Sequence, residues 1–158
     1  MKRMHDAGLV WTDVKVENLV MKNGKVKGID LESAVRIGGN PCDYSPEVCP
    51  PEFAREFLKD GGSNFIRRTD YDSWSLGMLF YNIYMGRGYF ERKGASTITK
   101  SLAIPDFAPD FSEIDDDKLR DLCEKLCRNQ PGKRPGTTAT LLHPFFTSSG
   151  VGKWSFGK

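Results

Sequence analysis

The sequence predicts a mainly helical α+β fold, with helices around one buried central helix and small β-hairpins beside it. Residues 71–85 are apolar almost all round, a pattern typical of a helix in the centre of a globule. Apolar residues recur at helical spacing from Leu119 to Leu126, which indicates a second helix that packs against the core. Residues 19–29 hold an Asn23-Gly24 pair between two short runs, the usual signal of a β-hairpin.

Length, charge and cysteine spacing limit the classes of function. At 158 residues the chain forms one domain at most, long enough to bury a core. The 23 basic and 21 acidic residues leave a net charge of +2 and no long basic run, which argues against nucleic acid as a partner. The four cysteines lack the paired spacing of a zinc site, so we expect reduced core or surface thiols.

The sequence carries no signal for a membrane. No apolar run approaches the roughly 20 residues of a membrane-spanning helix, and the N-terminus has no long apolar signal-peptide core. We therefore expect a soluble intracellular protein, cytoplasmic by default. A targeting segment lost with a missing front part stays open as an alternative.

A run of polar side chains near the N-terminus can hold phosphate chemistry. Residues 1–8 read as the end of a helix and residues 9–11 as a short buried strand, after which the run begins. Asp13 could accept a hydroxyl proton, Lys15 could neutralise a phosphoryl oxygen, and Asn18 could offer an oxygen to Mg²⁺. Because Asp30 follows the hairpin, the turn would bring its carboxylate back beside the amide. This arrangement predicts a two-ligand metal site.

Later motifs complete a resemblance to a known family. They are Cys49-Pro50-Pro51-Glu52, Asp72-Ser73-Trp74-Ser75-Leu76-Gly77, and Lys133-Arg134-Pro135 followed by His143-Pro144-Phe145-Phe146. Together with the D-x-K-x-x-N run and the acid after the hairpin, they resemble, in the same order, the markers of the eukaryotic-type protein kinases. The resemblance covers nearly the whole chain. A lysine two residues after the catalytic aspartate is similar to the serine/threonine pattern.

The resemblance implies a role for each residue of the polar run. As the catalytic residues, Asp13 would orient the substrate hydroxyl and Lys15 would steady the transferring phosphoryl group. Asn18 and Asp30 would hold Mg²⁺, and Lys15, Asn18, Val20 and Asp30 would form the nucleotide site. The implied cofactors are ATP and Mg²⁺, and the implied partner is a protein substrate.

The same resemblance implies structural roles in the rest of the chain. Glu52 would pair with Arg134 across the domain in a buried bidentate contact. Asp72 would cap backbone groups of residues 11–18, which correspond to the catalytic loop of the family. Leu79 and Ile83 would stack beneath the adenine pocket.

Turn and helix signals predict the remaining elements. Residues 33–49 are rich in turn formers and would form an activation segment, with Tyr44 and Ser45 in an ordered turn. We expect a helix from Pro51 to Lys59, a short or irregular stretch from Gly86 to Phe111, a helix with its start signal at residues 112–115, and a final helix from Thr137 or Thr138 to Pro144. The aromatic residues Trp154 and Phe156 would dock back on the domain.

Four positions depart from the family pattern. Trp11 and Thr12 stand where the family usually has histidine and arginine, and Leu31-Glu32 stands where it has Phe-Gly. Because the missing arginine would gather a phosphorylated activation segment, Thr12 predicts control that does not depend on phosphate there. We expect Trp11 to be a core residue.

The family's N-lobe is absent from the sequence. Its Gly-rich loop, strand lysine and helix glutamate precede the catalytic loop in the family, whereas here that loop begins ten residues from Met1. We therefore predict a protein-kinase-like C-lobe over residues 1–146 and a C-terminal tail over residues 147–158.

Two classes of function follow from these expectations. One is phosphoryl transfer from MgATP to a protein serine or threonine hydroxyl in the full-length context. The other is a pseudokinase-like binding scaffold or an inactive truncated fragment, neither of which transfers phosphate. Without an N-lobe the chain would expose apolar residues to water, to a partner that supplies the lobe, or to a docking partner. These residues are Leu19, Val20, Leu31 and Leu79.

Overall fold

The computed structural model describes residues 1–40 and 44–148. The α-helices are α1 (Lys2–Asp6), α2 (Pro51–Asp60), α3 (Thr69–Met85), α4 (Ala95–Leu102), α5 (Asp117–Leu126), α6 (Thr137–Leu141) and α7 (Pro144–Thr147). The strands are β1 (Leu9–Val10), β2 (Leu19–Lys22), β3 (Lys25–Gly28) and β4 (Val35–Arg36). Single turns of 3-10 helix span Val16–Asn18 and Pro131–Lys133. The predicted mainly helical fold with small antiparallel sheets is confirmed.

Helix α3 is the centre of the hydrophobic core. Trp74 and Met78 are completely buried, and α3 packs against α5. The two helices approach closely at Gly77, where an added Cβ would lie 2.5 Å from the Cys127 sulfur. A side chain at that position would force the helices apart. The predicted buried central helix is therefore confirmed, and its glycine is needed for packing.

The β2–β3 hairpin forms as predicted. Asn23 and Gly24 both have positive φ, 52° and 68°, which is the conformation that a two-residue type I′ turn requires. Met21 faces Val26 across the antiparallel pair. Both side chains are exposed, at 68% and 53%, so the turn and the backbone ladder hold this hairpin while its side chains lie at the surface.

A second, shorter sheet joins the two segments that flank the hairpin. Strand β1 pairs with β4, with Leu9 opposite Arg36 and Val10 opposite Val35. Residue 11, predicted to continue the first strand, lies beyond it. The pairing fixes the start of the catalytic loop against the segment that follows Asp30.

Two helix boundaries differ from the prediction. Helix α5 begins at Asp117, later than the start signal at residues 112–115 predicts, because the Asp116 side chain accepts hydrogen bonds from the N–H groups of residues 118 and 119, both at 2.9 Å. The predicted last helix, from Thr137 or Thr138 to Pro144, ends early at Leu141, and a separate helix that was not predicted, α7, begins at Pro144 with His143 as its cap. Helix α2 begins at Pro51 as predicted.

The cysteines within the described residues are reduced core thiols. Cys49, Cys123 and Cys127 are buried and free, and burial raises the pKa of Cys123 to about 12. In the described ranges no helix combines the length and the apolar character needed to cross a bilayer. Cys42 and the tail aromatics Trp154 and Phe156 lie outside the described residues.

Candidate active site

The catalytic loop brings three of the predicted site residues into direct contact. Lys15 Nζ donates to Asp13 Oδ2 at 2.9 Å, and Asn18 Nδ2 donates to the same oxygen at 2.8 Å. The Asn18 amide also donates to the backbone oxygen of Asp13 at 2.9 Å. Asn18 is buried in the 3-10 turn that follows the loop. A cation and an amide therefore hold one oxygen of this carboxylate in place.

The other carboxylate oxygen of Asp13 is left without a donor. Oδ1 is buried and has no hydrogen-bond partner within the described residues. An ionised carboxylate normally accepts hydrogen bonds at both oxygens, so an unpaired one is an acceptor available to an incoming hydroxyl. Burial pushes the pKa of Lys15 down, but Asp13, Glu47 and Glu17 outweigh it and raise the pKa, which keeps the ammonium charged.

Asp72 at the start of α3 supports this loop from beneath. Its carboxylate is completely buried and accepts from the N–H of Trp11 and the N–H of Thr12, both at 2.8 Å. The predicted cap on the catalytic loop is confirmed. His5 Nε2 lies 2.8 Å from the same carboxylate, a third partner that the sequence analysis missed because α1 carries no local signal for it.

Thr12 has a strained backbone that this cap maintains. Its φ is 69°, in the left-handed region that β-branched residues rarely adopt. The residue is completely buried, and its Oγ1 donates to the backbone oxygen of Ser33 at 2.8 Å. Thr12 thus joins the catalytic loop directly to the start of the activation segment through a neutral hydrogen bond.

Trp11 packs into the core, as predicted. It is 4% exposed and contacts Val14 and Leu79, and its ring lies so close to Gly28 that a Cβ there would be 2.6 Å away. Its indole N–H donates to the backbone oxygen of Asp30 at 3.2 Å. The tryptophan therefore fixes the end of the hairpin against the catalytic loop.

The two remaining predicted site residues lie at the surface. Val20 is 38% exposed and Asp30 is exposed, with a positive φ of 54°. The N–H of Ile29 donates to the Asn18 backbone oxygen at 2.9 Å, which brings the chain before Asp30 back to the loop. Within the described residues, no hydrogen bond joins the Asp30 side chain to the other site residues, so its metal role stays a prediction.

Ser45 is a site residue whose contact with the catalytic loop the sequence analysis missed. Lys15 Nζ donates to Ser45 Oγ at 2.6 Å, which ties the end of the activation segment to the catalytic loop. The turn formers predict an ordered turn at Ser45, but no local pattern relates a serine to a lysine thirty residues earlier. Only the fold brings them together.

The Glu52–Arg134 pair forms as predicted. The guanidinium nitrogens Nη1 and Nη2 of Arg134 donate to the two carboxylate oxygens of Glu52 at 2.7 and 2.8 Å, and the arginine side chain is completely buried. Arg134 also donates to the backbone oxygens of Arg128 and Asp70 and lies over the Trp74 ring at 5.1 Å. The pair fixes the start of α2, which ends the activation segment, to the core.

One expectation about the exposed apolar residues is wrong. Leu79 is 4% exposed, because it packs with Trp11 and Val14, so it does not face water. Leu31 is 50% exposed, as expected. Leu19 was also expected to be exposed, but it is partly buried. The exposed apolar side chains of the hairpin and the following residues form what we call the hairpin platform. It comprises Val20, Met21, Val26, Ile29 and Leu31.

A cavity of about 450 Å³ opens next to the catalytic loop. Glu17 lines it on one side and the end of α3 lines it on the other. Arg87 at its rim pairs with Glu113 at 2.5 Å. Its lining residues are Val16, Glu17, Asn82, Ile83, Gly86, Arg87 and Gly88.

Comparison with known proteins decides the family. A family model described as protein kinase domain matches residues 1–146. The chain belongs to the protein kinase family. Mus musculus Tribbles homolog 2 is 29% identical over 158 residues, which cover 97% of this chain and 45% of that protein. A Zea mays protein named probable serine/threonine-protein kinase CCRP1 is 25% identical, over 94% of this chain and 24% of that protein.

A third relative broadens the comparison. Rattus norvegicus protein kinase C delta type is 26% identical over 90% of this chain and 21% of that protein. The chain thus spans less than half the length of these curated relatives, which cover nearly all of it. In this kinase chain the contacts among Asp13, Lys15 and Asn18 belong to the D-x-K-x-x-N motif on which the resemblance was based.

Proposed function

We propose that this chain is the C-lobe, residues 1–146, of a serine/threonine protein kinase, with a tail over residues 147–158. In the full-length context it would transfer the γ-phosphoryl group of MgATP to a protein hydroxyl. The observation that carries this proposal is the Asp13 carboxylate, which has one oxygen held by Lys15 and Asn18 and the other without a donor. A binding scaffold has no need of that arrangement.

The catalytic loop can orient a hydroxyl and stabilise negative charge. Asp13 Oδ1 would accept the hydrogen bond of the substrate hydroxyl and hold its oxygen in line for attack. Lys15 would stabilise the charge on the transferring phosphoryl oxygens, because Asp13 keeps its ammonium charged and positioned. The cavity beside Glu17 leaves room for the neighbouring residues of a protein substrate.

The residues that follow the loop fit a magnesium ion. Asn18 uses its amide nitrogen on Asp13, which leaves its oxygen as a ligand, and the Asp30 carboxylate is exposed. Amide and carboxylate oxygens are the donors that Mg²⁺ prefers, and Mg²⁺ keeps waters or phosphate oxygens in its other positions. When bound, MgATP supplies the phosphoryl group and the cation neutralises its charge. Val20 on the neighbouring strand would contact the nucleotide.

A second candidate function is docking without phosphoryl transfer. The hairpin platform favours it, because Met21 is 68% and Leu31 is 50% exposed. Large exposed apolar side chains that lie near each other in the chain favour an interaction site. The partner would be either an N-lobe or another protein that covers the platform.

Phosphoryl transfer by a two-lobed form of the protein distinguishes the two candidate functions. In a fusion that carries a kinase N-lobe ahead of Met1, we expect Asp13→Asn to lower the transfer of labelled phosphate from ATP to a protein substrate by about 100-fold to 10,000-fold. The amide cannot accept the hydroxyl proton, while MgATP affinity should stay within about threefold because Asp13 is not a predicted nucleotide ligand.

Asp6→Asn is the matched control for this substitution. Asp6 is an exposed aspartate whose side chain, among the residues that the structure describes, pairs only with Lys2 in α1, so the substitution should leave the transfer rate unchanged. Equal rates for the fusion and its Asp13→Asn variant would contradict the proposed role. A fusion that binds MgATP and transfers nothing, with or without Asp13, would leave docking as the function.

A further inference from the structure

Arg67 is a buried arginine just before α3 that no motif explains. Its side chain has no solvent exposure, and its guanidinium lies 4.5 Å from the Phe53 ring centre and 5.2 Å from that of Tyr71. Burial lowers the pKa of Arg67, although neighbouring Tyr71 opposes that fall. A cation that gives up its water needs partners that compensate, and aromatic faces supply only part of this compensation.

The hydrogen bonds of Arg67 lead to the beginning of the activation segment. Nη1 donates to Asn40 Oδ1 at 2.7 Å. The Arg67 backbone accepts from the N–H of Gly38 at 2.9 Å and donates to the oxygen of Gly39 at 3.3 Å. One residue therefore holds three consecutive residues of the segment.

Asn40 extends this connection to the loop after α2. Its Nδ2 donates to the backbone oxygens of Gly62 and Ser63, at 2.9 and 2.5 Å. Asn40 is itself exposed, so burial does not fix its position. These two hydrogen bonds and the bond from Arg67 hold it in place. Residues 38–40 are thus held against the end of α2 and the start of α3.

Two further contacts hold described parts of the segment, and neither of them involves a phosphate group. Thr12 Oγ1 donates to the Ser33 backbone oxygen, and Ser45 Oγ accepts from Lys15. Thr12 stands at the position where an arginine was expected to gather a phosphate. A buried cation, Arg67, is supplied by another part of the chain and contacts the same segment.

We propose that Arg67 holds residues 38–40 of the activation segment in place, and so replaces the arginine–phosphate contact that Thr12 cannot make. Arg67 is a positioning residue that acts through Asn40 and through its own backbone. The proposed role concerns only the order of the activation segment. It does not depend on whether the protein transfers phosphate.

Hydrogen–deuterium exchange on the whole 158-residue chain, shown by mass to be unphosphorylated, tests this proposal. We expect Arg67→Met to speed exchange of the Gly38 amide by about tenfold or more, while amides in the middle of α3 change by less than about threefold. Arg68→Met is the matched control, because Arg68 is exposed, and it should leave both regions unchanged. Arg67→Lys, which keeps the charge, should recover part of the protection.

A second variant keeps the test decisive if Arg67→Met fails to fold. Asn40→Ala removes the acceptor of the arginine at an exposed position and should give the same local acceleration at Gly38. Equal acceleration throughout α3 in Arg67→Met would mean a general core role and would overturn the proposal. So would an unchanged Gly38 amide in Asn40→Ala, or a wild-type segment that becomes protected only after phosphorylation.

Discussion

Replacing Arg134 by alanine is expected to lower the free energy of unfolding by about 3–5 kcal/mol, because it leaves the Glu52 carboxylate without its bidentate partner. The arginine side chain is completely buried and the glutamate side chain is 18% exposed, so water cannot fully replace the hydrogen bonds that the carboxylate loses. The variant also loses two hydrogen bonds to backbone oxygens and the stacking on Trp74. Urea unfolding followed by tryptophan fluorescence measures the change.

Arg87→Ala is the matched control for this arginine. Arg87 also pairs with a glutamate, Glu113, but the two side chains are 38% and 55% exposed. An exposed pair contributes about 1 kcal/mol or less, so the control should unfold nearly as the wild type does. If both variants unfold at the same urea concentration, the buried pair between Glu52 and Arg134 does not stabilise the fold.

Replacing Asp72 by alanine is expected to cost about 2–6 kcal/mol, since two buried backbone N–H groups lose their acceptor at about 1–3 kcal/mol each. These groups belong to Trp11 and Thr12, and Thr12 needs the cap to keep its left-handed backbone. His5 loses its partner as well. The catalytic loop should therefore become mobile before the rest of the chain unfolds.

Asp70→Ala controls for the loss of an acid in the first turn of α3. Asp70 interacts favourably with the helix dipole, so its replacement should lower the free energy of unfolding by no more than about 1 kcal/mol. Urea unfolding gives both free energies, and amide exchange at Val14 reports the loop itself. Wild-type exchange at Val14 in Asp72→Ala would show that the loop keeps its shape without the carboxylate.

The elements with local signals could be predicted from the sequence. The hairpin followed from Asn23-Gly24, since only residues that tolerate positive φ close a two-residue turn. The central helix followed from its apolar composition, and the Glu52–Arg134 pair from motifs on which the family resemblance rests. The start of α5 was missed because Asp116 competes successfully with the earlier serine as the cap.

Parts of the site depend on contacts that no local pattern encodes. Leu79 is covered by Trp11, and this could not be foreseen because the family usually has a histidine where the tryptophan lies. The contacts of Ser45 with Lys15 and of Arg67 with Asn40 join residues about thirty positions apart in sequence. Such pairs appear only once the activation segment is folded across α2 and α3.

We expect this lobe to form only half of a nucleotide site. Calorimetry gives the most direct test, by measuring the affinity for MgATP of the isolated chain and of a fusion that carries an N-lobe ahead of Met1. On the isolated chain only Lys15, Asn18, Val20 and Asp30 are predicted to contact nucleotide, and two oxygen ligands anchor Mg²⁺ weakly. We expect a Kd weaker than about 1 mM for the isolated chain and at least about tenfold tighter binding by the fusion. Micromolar binding by a monomeric isolated chain would contradict this division of the site between two lobes.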